Sequence, residues 1–252
     1  MLRIGCLLVC YLCASLFCRA ESLHVYCDNW PGFCQTDGQG FYLDLVNSIY
    51  QPHGYTIVPH IVPYKRALAM VTRNKGDMAL GVYLHELGDV RMPEYPDSAD
   101  DLSVIMLKQW QPKWQGEQSL AGQQVLWQRG WALDKYISVP MNWHEVDSYE
   151  MALQLLEKER YRYRYYMTVG VLHVANPPPT SMIRIFLRWI PTYPVFSDSE
   201  RGETLQQLWD REMVNLIRSG ELANIYQRHQ LYDYYQGFIK EMEQKAKVAP
   251  IR

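Results

Sequence analysis

Residues 22–83 carry two hydrophobic patterns in alternation. Short runs in which apolar and polar residues alternate, such as the one at 22–27, predict β-strands. Between them, apolar residues recur at helical spacing, and the helix that follows Gly40 is predicted to stop at Pro52 and Gly54. The predicted elements are, in order, SLHVYC, GFYLDLVNSIY, YTIVPHIVP, YKRALAMVTR and MALGVY. This order of strands and helices favours a parallel sheet covered by helices.

A loop rich in Pro and Asp separates this part from a second one with the same alternation, in which LSVIMLKQW is the first predicted strand. The run RIFLRWIPTYPVFS predicts a strand that crosses back, and two helices broken at Ser219 and Gly220 follow it. Two α/β units followed by a helical return indicate two lobes. We predict residues 21–107 as the first part of lobe 1, 108–194 as lobe 2, 195–231 as the return to lobe 1, and 232–252 as a loosely docked helical tail with a frayed end.

The first twenty residues have the pattern of a cleavable secretory signal peptide. A basic start at Arg3 precedes an apolar run that ends at Phe17, and small residues stand before a cut after Ala20. The apolar run is short for a membrane span, although a membrane anchor is the alternative interpretation. Phe17 before Cys18 disfavours attachment of a lipid to that cysteine.

Cysteine usage supports export to an oxidising compartment. Four of the six cysteines belong to residues 1–20, which leaves Cys27 and Cys34 as a predicted disulfide pair. Two free thiols are the alternative. The seven histidines are scattered without ligand spacing, so the sequence predicts no metal site.

Composition narrows the classes of function. Without residues 1–20 the chain has 23 basic and 27 acidic residues, and no basic excess suggests a nucleic-acid partner. The 19 tyrosines, 8 tryptophans and 48% hydrophobic residues indicate a folded core with aromatic surfaces.

Three stretches resemble the bacterial extracellular solute-binding proteins of family 3, which have the type II periplasmic-binding-protein fold. Residues 40–83 are similar to the family's glycine–Asp-Leu helix, its Pro-aromatic-x-Arg-Ala segment and its Gly-x-x-Asp strand entry. Residues 119–137 are similar to the start of the family's second lobe, and 194–229 to its C-terminal helices with a Ser-Gly-Glu-Leu signature. Together they place the resemblance over residues 22–231.

The resemblance implies an α/β protein of two lobes, each a mainly parallel sheet flanked by helices. Two hinge strands would join the lobes, near Leu102–Lys108 and Ile190–Ser197. A small solute would bind in the cleft between the lobes and close the hinge, without a cofactor. We therefore expect a periplasmic monomer that has an inner-membrane ABC permease or a sensor protein as its partner.

The resemblance also implies ligand-binding residues in lobe 1. The loop closed by the two cysteines would form one wall of the pocket, with Asn29 and Trp30 in it. Alternatively, Trp30 packs on its own lobe and the bridge is only structural. Tyr64 and Arg66 open a helix where the family places a ligand-facing aromatic residue, although a surface salt bridge would also explain Arg66. Gly81 and Tyr83 end a strand whose backbone groups commonly bind ligand in the family.

In lobe 2, Arg129, Gly130 and Trp131 are expected to open a helix whose free N–H groups could bind an anion. Strand alternation in the Tyr-Arg run at 161–166 puts Arg162 beside aromatic residues, which would suit an anionic or aromatic ligand. The alternative is a strand whose arginines are solvated.

Two departures from the family pattern argue against an ordinary α-amino-acid ligand. Gly88 stands where family members carry the Arg that clamps the α-carboxylate, and Arg91 follows three residues later. Arg162 stands where the family has an Asp for the α-amino group.

We therefore expect a non-catalytic receptor for a small polar, anionic or aromatic solute, used in import or sensing. One alternative is a degenerate binding module without a small ligand. The other is an enzyme on the same fold, such as a dehydratase, but no paired carboxylates or Ser/His/Asp constellation support catalysis.

Overall fold

The computed structural model describes residues 21–84, 86–131, 133–158, 162–170 and 177–249. The predicted signal peptide and Tyr161 lie outside these ranges. The chain divides into two compact units, of which unit 2 is Ser98–Thr192 and unit 1 is the rest. The sequence predicts lobe 2, which corresponds to unit 2, over residues 108–194.

The first half of unit 1 contains the five elements predicted from the hydrophobic pattern. They are β1 (Glu21–Cys27), α1 (Phe41–Tyr50), β2 (Tyr55–Ile61), α2 (Tyr64–Thr72) and β3 (Met78–Tyr83). Strand β1 lies between β2 and β3 and pairs in parallel with both. Helix α1 follows Gly40, whose φ of 128° and close approach to the Phe33 carbonyl leave no room for a side chain. The helix passes into a 3₁₀ turn at Gln51–His53, and Gly54 ends that turn in the left-handed conformation.

The elements of unit 2 are β4 (Ser98–Leu107), β5 (Gln124–Gln128), β6 (Asn142–Val146), α3 (Tyr149–Lys158), β7 (Tyr165–Thr168) and the first part of β8 (Met182–Phe196). They form a mixed sheet in the order β8-β4-β7-β5-β6, in which β4 is antiparallel to both of its neighbours. Helix α3 packs Ala152 and Leu156 against the sheet residues Ile105, Leu126 and Tyr166.

Two predictions for unit 2 are wrong in detail. The helix expected to begin at Arg129 is a turn followed by a short 3₁₀ segment at Leu133–Tyr136. The strand of the Tyr-Arg run begins only at Tyr165, so the expected alternation does not extend back to Arg162.

The chain returns to unit 1 through the end of β8, which lies beside β3. Helix α4 (Glu200–Ser219) is capped by the Ser199 hydroxyl, which accepts a hydrogen bond from the Gly202 N–H at 3.0 Å. Gly220, in the left-handed conformation, ends α4 where the break was predicted, and α5 (Glu221–Arg228) follows.

The predicted tail is largely one ordered helix, α6 (Tyr232–Val248). Its buried residues recur every three or four positions, so an apolar stripe packs into unit 1 in place of the loosely docked segment that was expected. These residues are Tyr235, Phe238, Ile239, Met242 and Ala246. Across the described ranges, every helix is too short or too polar to cross a membrane.

Candidate functional site

The loop from Cys27 to Cys34 holds Trp30 in a defined place. The two sulfur atoms lie within bonding distance, and the Cα atoms are 6.5 Å apart. The Trp30 N–H donates to the Cys34 carbonyl at 2.8 Å, and the Cys34 N–H donates back at 2.9 Å. The loop is also tied to the start of α1, because the Tyr42 N–H donates to the Phe33 carbonyl at 3.0 Å. The backbone of Trp30 is therefore fixed by the loop that surrounds it.

The Trp30 ring packs on the backbone of β3 at Gly81. This glycine has a φ of +70°, and a Cβ there would lie 3.0 Å from Cζ3 of Trp30. The Trp30 ring centroid is 5.7 Å from that of Tyr64 and 6.1 Å from that of Tyr42. We call these four residues the Trp30 cluster. Trp30 and Tyr64 are half-buried, so both residues keep some contact with solvent.

Glu86, just after β3, lies at the edge of the Trp30 cluster and was missed by the sequence analysis. Its Oε2 accepts a hydrogen bond from the Tyr64 hydroxyl at 2.7 Å and one from the Tyr83 N–H at 3.3 Å. The only sequence signal was an acidic residue three positions after the strand end. The structure thus brings Tyr64, Gly81 and Tyr83 of the predicted site together with Trp30 and adds a carboxylate.

Two further carboxylates bond to backbone N–H groups around the Trp30 cluster. The Tyr64 N–H, in the first turn of α2, donates to Asp28 Oδ2 at 2.9 Å. The Gly81 N–H donates to Asp97 Oδ2 at 2.8 Å. Donors that could have met a ligand anion are therefore bonded to the protein's own acids.

Two other predicted site residues, Asn29 and Arg66, make no contact with the Trp30 ring among the ring contacts of the described residues. Asn29 is exposed, and its N–H donates to Asp28 Oδ1 at 2.7 Å. Arg66 is also exposed, and no carboxylate in the described ranges pairs with its guanidinium. Burial and the Asp77 charge raise the pKa of the Tyr26 phenol, and Arg66 partly opposes this rise. Gly88, at the place of the family's clamping Arg, is exposed.

Arg91 is paired within unit 1. Its guanidinium lies 3.1 Å from Asp198 Oδ1 and 3.4 Å from Glu203 Oε2, and its backbone exchanges two hydrogen bonds with Phe196. An Arg held by two carboxylates is a poor substitute for the missing clamp.

In unit 2, the donors predicted to bind an anion also meet carboxylates. Arg129 Nε donates to Asp147 Oδ1 at 2.8 Å, and the Gly130 N–H donates to Glu145 Oε1 at 2.9 Å. The hydrogen bond to Asp147 raises the pKa of the Arg129 guanidinium. Trp131 is half-buried and its N–H donates to the Gln128 carbonyl at 3.2 Å. Because no α-helix begins here, these residues lack the aligned N–H groups of a helix N-terminus.

The Tyr-Arg run places its arginines against aromatic rings of unit 2. Arg162 is exposed and lies over the Tyr163 ring, with its Cζ 5.1 Å from the centroid. Arg164 lies over the Trp110 ring, with its Cζ 4.5 Å from the ring centroid. Tyr165 and Tyr166 are buried because β7 is an inner strand of the sheet. Much of the aromatic and basic surface of the run is therefore used in contacts within unit 2.

Among the described residues, no group of three or more His, Cys, Asp or Glu side chains could hold a metal ion.

Comparison with known proteins finds likeness at the level of structure. No protein-family model matches the chain. No curated protein matches it either.

Solved structures match over most of the chain. The GluR0 ligand-binding core in complex with L-glutamate has a TM-score of 0.63 at 15% identity and covers 83% of this chain and 98% of that one. The amino acid ABC transporter substrate-binding protein AbpA from Streptococcus pneumoniae, bound to L-arginine, has a TM-score of 0.57 at 17% identity, with coverage of 83% and 94%. The ancestral amino acid-binding protein AncCDT-1, a precursor of cyclohexadienyl dehydratase, has a TM-score of 0.58 at 14% identity, with coverage of 82% and 94%. At these identities the likeness establishes the fold, and the fold class predicted from the sequence is confirmed: the chain has the α/β fold of the type II periplasmic binding proteins.

Proposed function

We propose that this protein is a non-catalytic receptor that binds a small solute and passes it to an ABC permease or reports it to a sensor. The fold supports this proposal, because the similar structures are of amino-acid-binding proteins and substrate-binding domains. The observation that carries it for this chain is the half-buried Trp30, whose backbone the loop holds and whose ring lies against Gly81 and Tyr64. A fixed aromatic surface costs little ordering free energy when a ligand stacks on it.

The ligand we propose lacks the α-amino-acid head group. Gly88 leaves the clamp position without a side chain, and Arg91 is paired with Asp198 and Glu203. The anionic ligand expected from the sequence has little support, because the predicted donors at Gly130 and Arg129 are bonded to carboxylates of unit 2.

A thermal-shift screen of the purified protein against small solutes tests the proposal. A ligand that binds only the folded state raises the melting temperature. Trp30→Ala should then weaken binding of that compound by at least about 1 kcal/mol, which is about fivefold in Kd. Trp143→Ala, at an exposed tryptophan of unit 2, is the matched control and should leave Kd unchanged.

Other outcomes would replace the receptor with one of its alternatives. Turnover of the bound compound, followed by chromatography, would show an enzyme. No shift with any compound, together with capture of a protein partner by the full chain, would show an interaction module.

Export and a formed Cys27–Cys34 bridge are part of the same proposal. Closing so short a loop stabilises the fold by about 2–3 kcal/mol in the chain-entropy model. Mass spectrometry of protein recovered from the periplasm should find a chain that begins near Glu21 and no free thiol at either cysteine. Two alkylatable thiols would contradict the predicted disulfide.

A further inference from the structure

Glu86 and Asp28 make the surface around the Trp30 cluster acidic. Within the described ranges, no Lys or Arg forms an ion pair with either carboxylate. Glu86 is exposed, and both of its hydrogen bonds end on Oε2. A carboxylate has about four lone-pair sites on its two oxygens, so Oε1 can accept from a further donor.

The aromatic part of this surface also suits a positive charge. The Trp30 and Tyr64 rings meet at an interplanar angle of 55° with centroids 5.7 Å apart, so they form two sides of a corner. A cation within about 6 Å of a ring centroid is attracted by the electron-rich face, and Trp is the strongest partner. The Tyr64 hydroxyl, 2.7 Å from Glu86, puts the carboxylate at the rim of that corner.

The same surface is unfavourable for a carboxylate of the ligand. The N–H groups of Tyr64, Gly81 and Tyr83 already donate to Asp28, Asp97 and Glu86. A fourth carboxylate in this place would displace one of these acids or be repelled by them.

Besides Lys65, which directly follows Tyr64, Arg66 is the cation nearest to this surface in sequence. It stands two residues after Tyr64 on α2, and side chains at that spacing do not share a helix face. Arg66 is therefore no substitute for a carboxylate clamp beside Trp30.

We propose that the Trp30 cluster and Glu86 bind the cationic end of an organic amine that carries no carboxylate. The inference rests on the proposed receptor function and names the chemical class of its solute. The ammonium or guanidinium group lies against the Trp30 and Tyr64 rings and donates to Glu86. The contact weakens as salt screens the exposed carboxylate.

Matched pairs of compounds test the inference on the full mature chain. Calorimetry would compare agmatine with arginine, putrescine with ornithine, and tyramine with tyrosine, with succinate as the dianion. We expect at least one amine to bind at least tenfold more tightly than its parent amino acid, and succinate not to bind. An amino acid or succinate that binds while every amine fails would overturn the inference and leave the receptor function standing. Absence of binding by any compound in the broad solute screen would overturn both.

Substitution of the carboxylate gives the second readout. Glu86→Gln keeps the size of the side chain and an acceptor for the Tyr64 hydroxyl but removes the charge. It should weaken amine binding at least fivefold with an unchanged melting temperature of the free protein. Glu241→Gln, at an exposed position on α6, is the control and should leave Kd unchanged. Equal amine affinity in the Glu86→Gln variant and the parent protein would contradict the assignment of Glu86.

Discussion

His24 and His60 lie on neighbouring parallel strands and share one hydrogen bond. His24 Nδ1 is 2.9 Å from His60 Nε2, and the Tyr26 ring stacks on His60 with centroids 4.5 Å apart. Burial lowers the pKa of His60, and the His24 charge lowers it further. Asp77 accepts the backbone N–H of His24. The folded protein therefore favours neutral His60.

This histidine pair predicts a loss of stability in mild acid. Because the folded-state pKa of His60 is below its ordinary value of 6.5, the unfolded chain binds more protons in this range. The stabilising contribution is complete above pH 6.5 and is lost as the pH falls through the folded-state pKa.

Thermal unfolding between about pH 7 and pH 5 measures this effect. His60→Gln should flatten the fall in melting temperature with decreasing pH. His144→Gln, at an exposed histidine of unit 2, should keep the slope of the parent protein. A parent-like slope in His60→Gln would show that another group titrates.

At the scale of elements, α6 supports the loop that carries Trp30. Tyr235 of α6 packs against Phe33 of the loop and Tyr226 of α5, with centroid distances of 6.5 Å and 5.3 Å. Phe238 lies one helical turn further and is 3% exposed. The helix therefore belongs to the core of unit 1 and backs one wall of the candidate site.

Loss of the Phe238 ring should destabilise unit 1. Replacing a buried Phe by Ala removes apolar contacts and leaves a cavity, which typically costs about 3–5 kcal/mol. We expect Phe238→Ala to lower the urea midpoint strongly, whereas Lys240→Ala, at an exposed position of the same helix, should change it little. Equal midpoints for the two variants would mean that α6 contributes little to the stability of unit 1.

At the scale of the whole molecule, the chain leaves unit 1 after Asp97 and returns to it at Tyr193. Each unit has its own apolar core, as the clusters around Tyr26 and around Ile105 show. Two crossings between separately packed units are compatible with a rigid-body motion at few backbone positions. We propose that the two units close on the bound solute, as the resemblance to the solute-binding proteins implies.

Small-angle X-ray scattering tests closure directly. A saturating concentration of the bound solute should reduce the radius of gyration of the parent protein. At a solute concentration equal to the Kd of the parent protein, Trp30→Ala should show a smaller reduction in the radius of gyration than the parent protein does. An unchanged curve under conditions in which calorimetry shows full binding would exclude closure as the response.

Much of the fold was readable from local patterns, because helix and strand periods are properties of neighbouring residues. The run MALGVY gave the bounds of β3, and Ser219–Gly220 marked the break between α4 and α5. The apolar positions of α6 are also present in the sequence, but the Lys and Glu residues between them led to the prediction of a loosely docked tail. The prediction of a helix that begins at Arg129 was wrong, because this segment is a turn in which the Gly130 N–H donates a hydrogen bond to Glu145.

The sequence by itself determined most of the order of the α/β elements and the absence of the family's clamping Arg at Gly88. It also named Trp30, Tyr64 and Gly81 of the Trp30 cluster but missed Tyr42. Only the tertiary structure decided which groups the carboxylates contact. Asp28 reaches Tyr64, Asp97 reaches Gly81, and Asp198 reaches Arg91, each across many intervening residues. Such pairs depend on which chain segments the sheet brings side by side, and no local period records them. The acidic character of the candidate site follows from these long-range contacts.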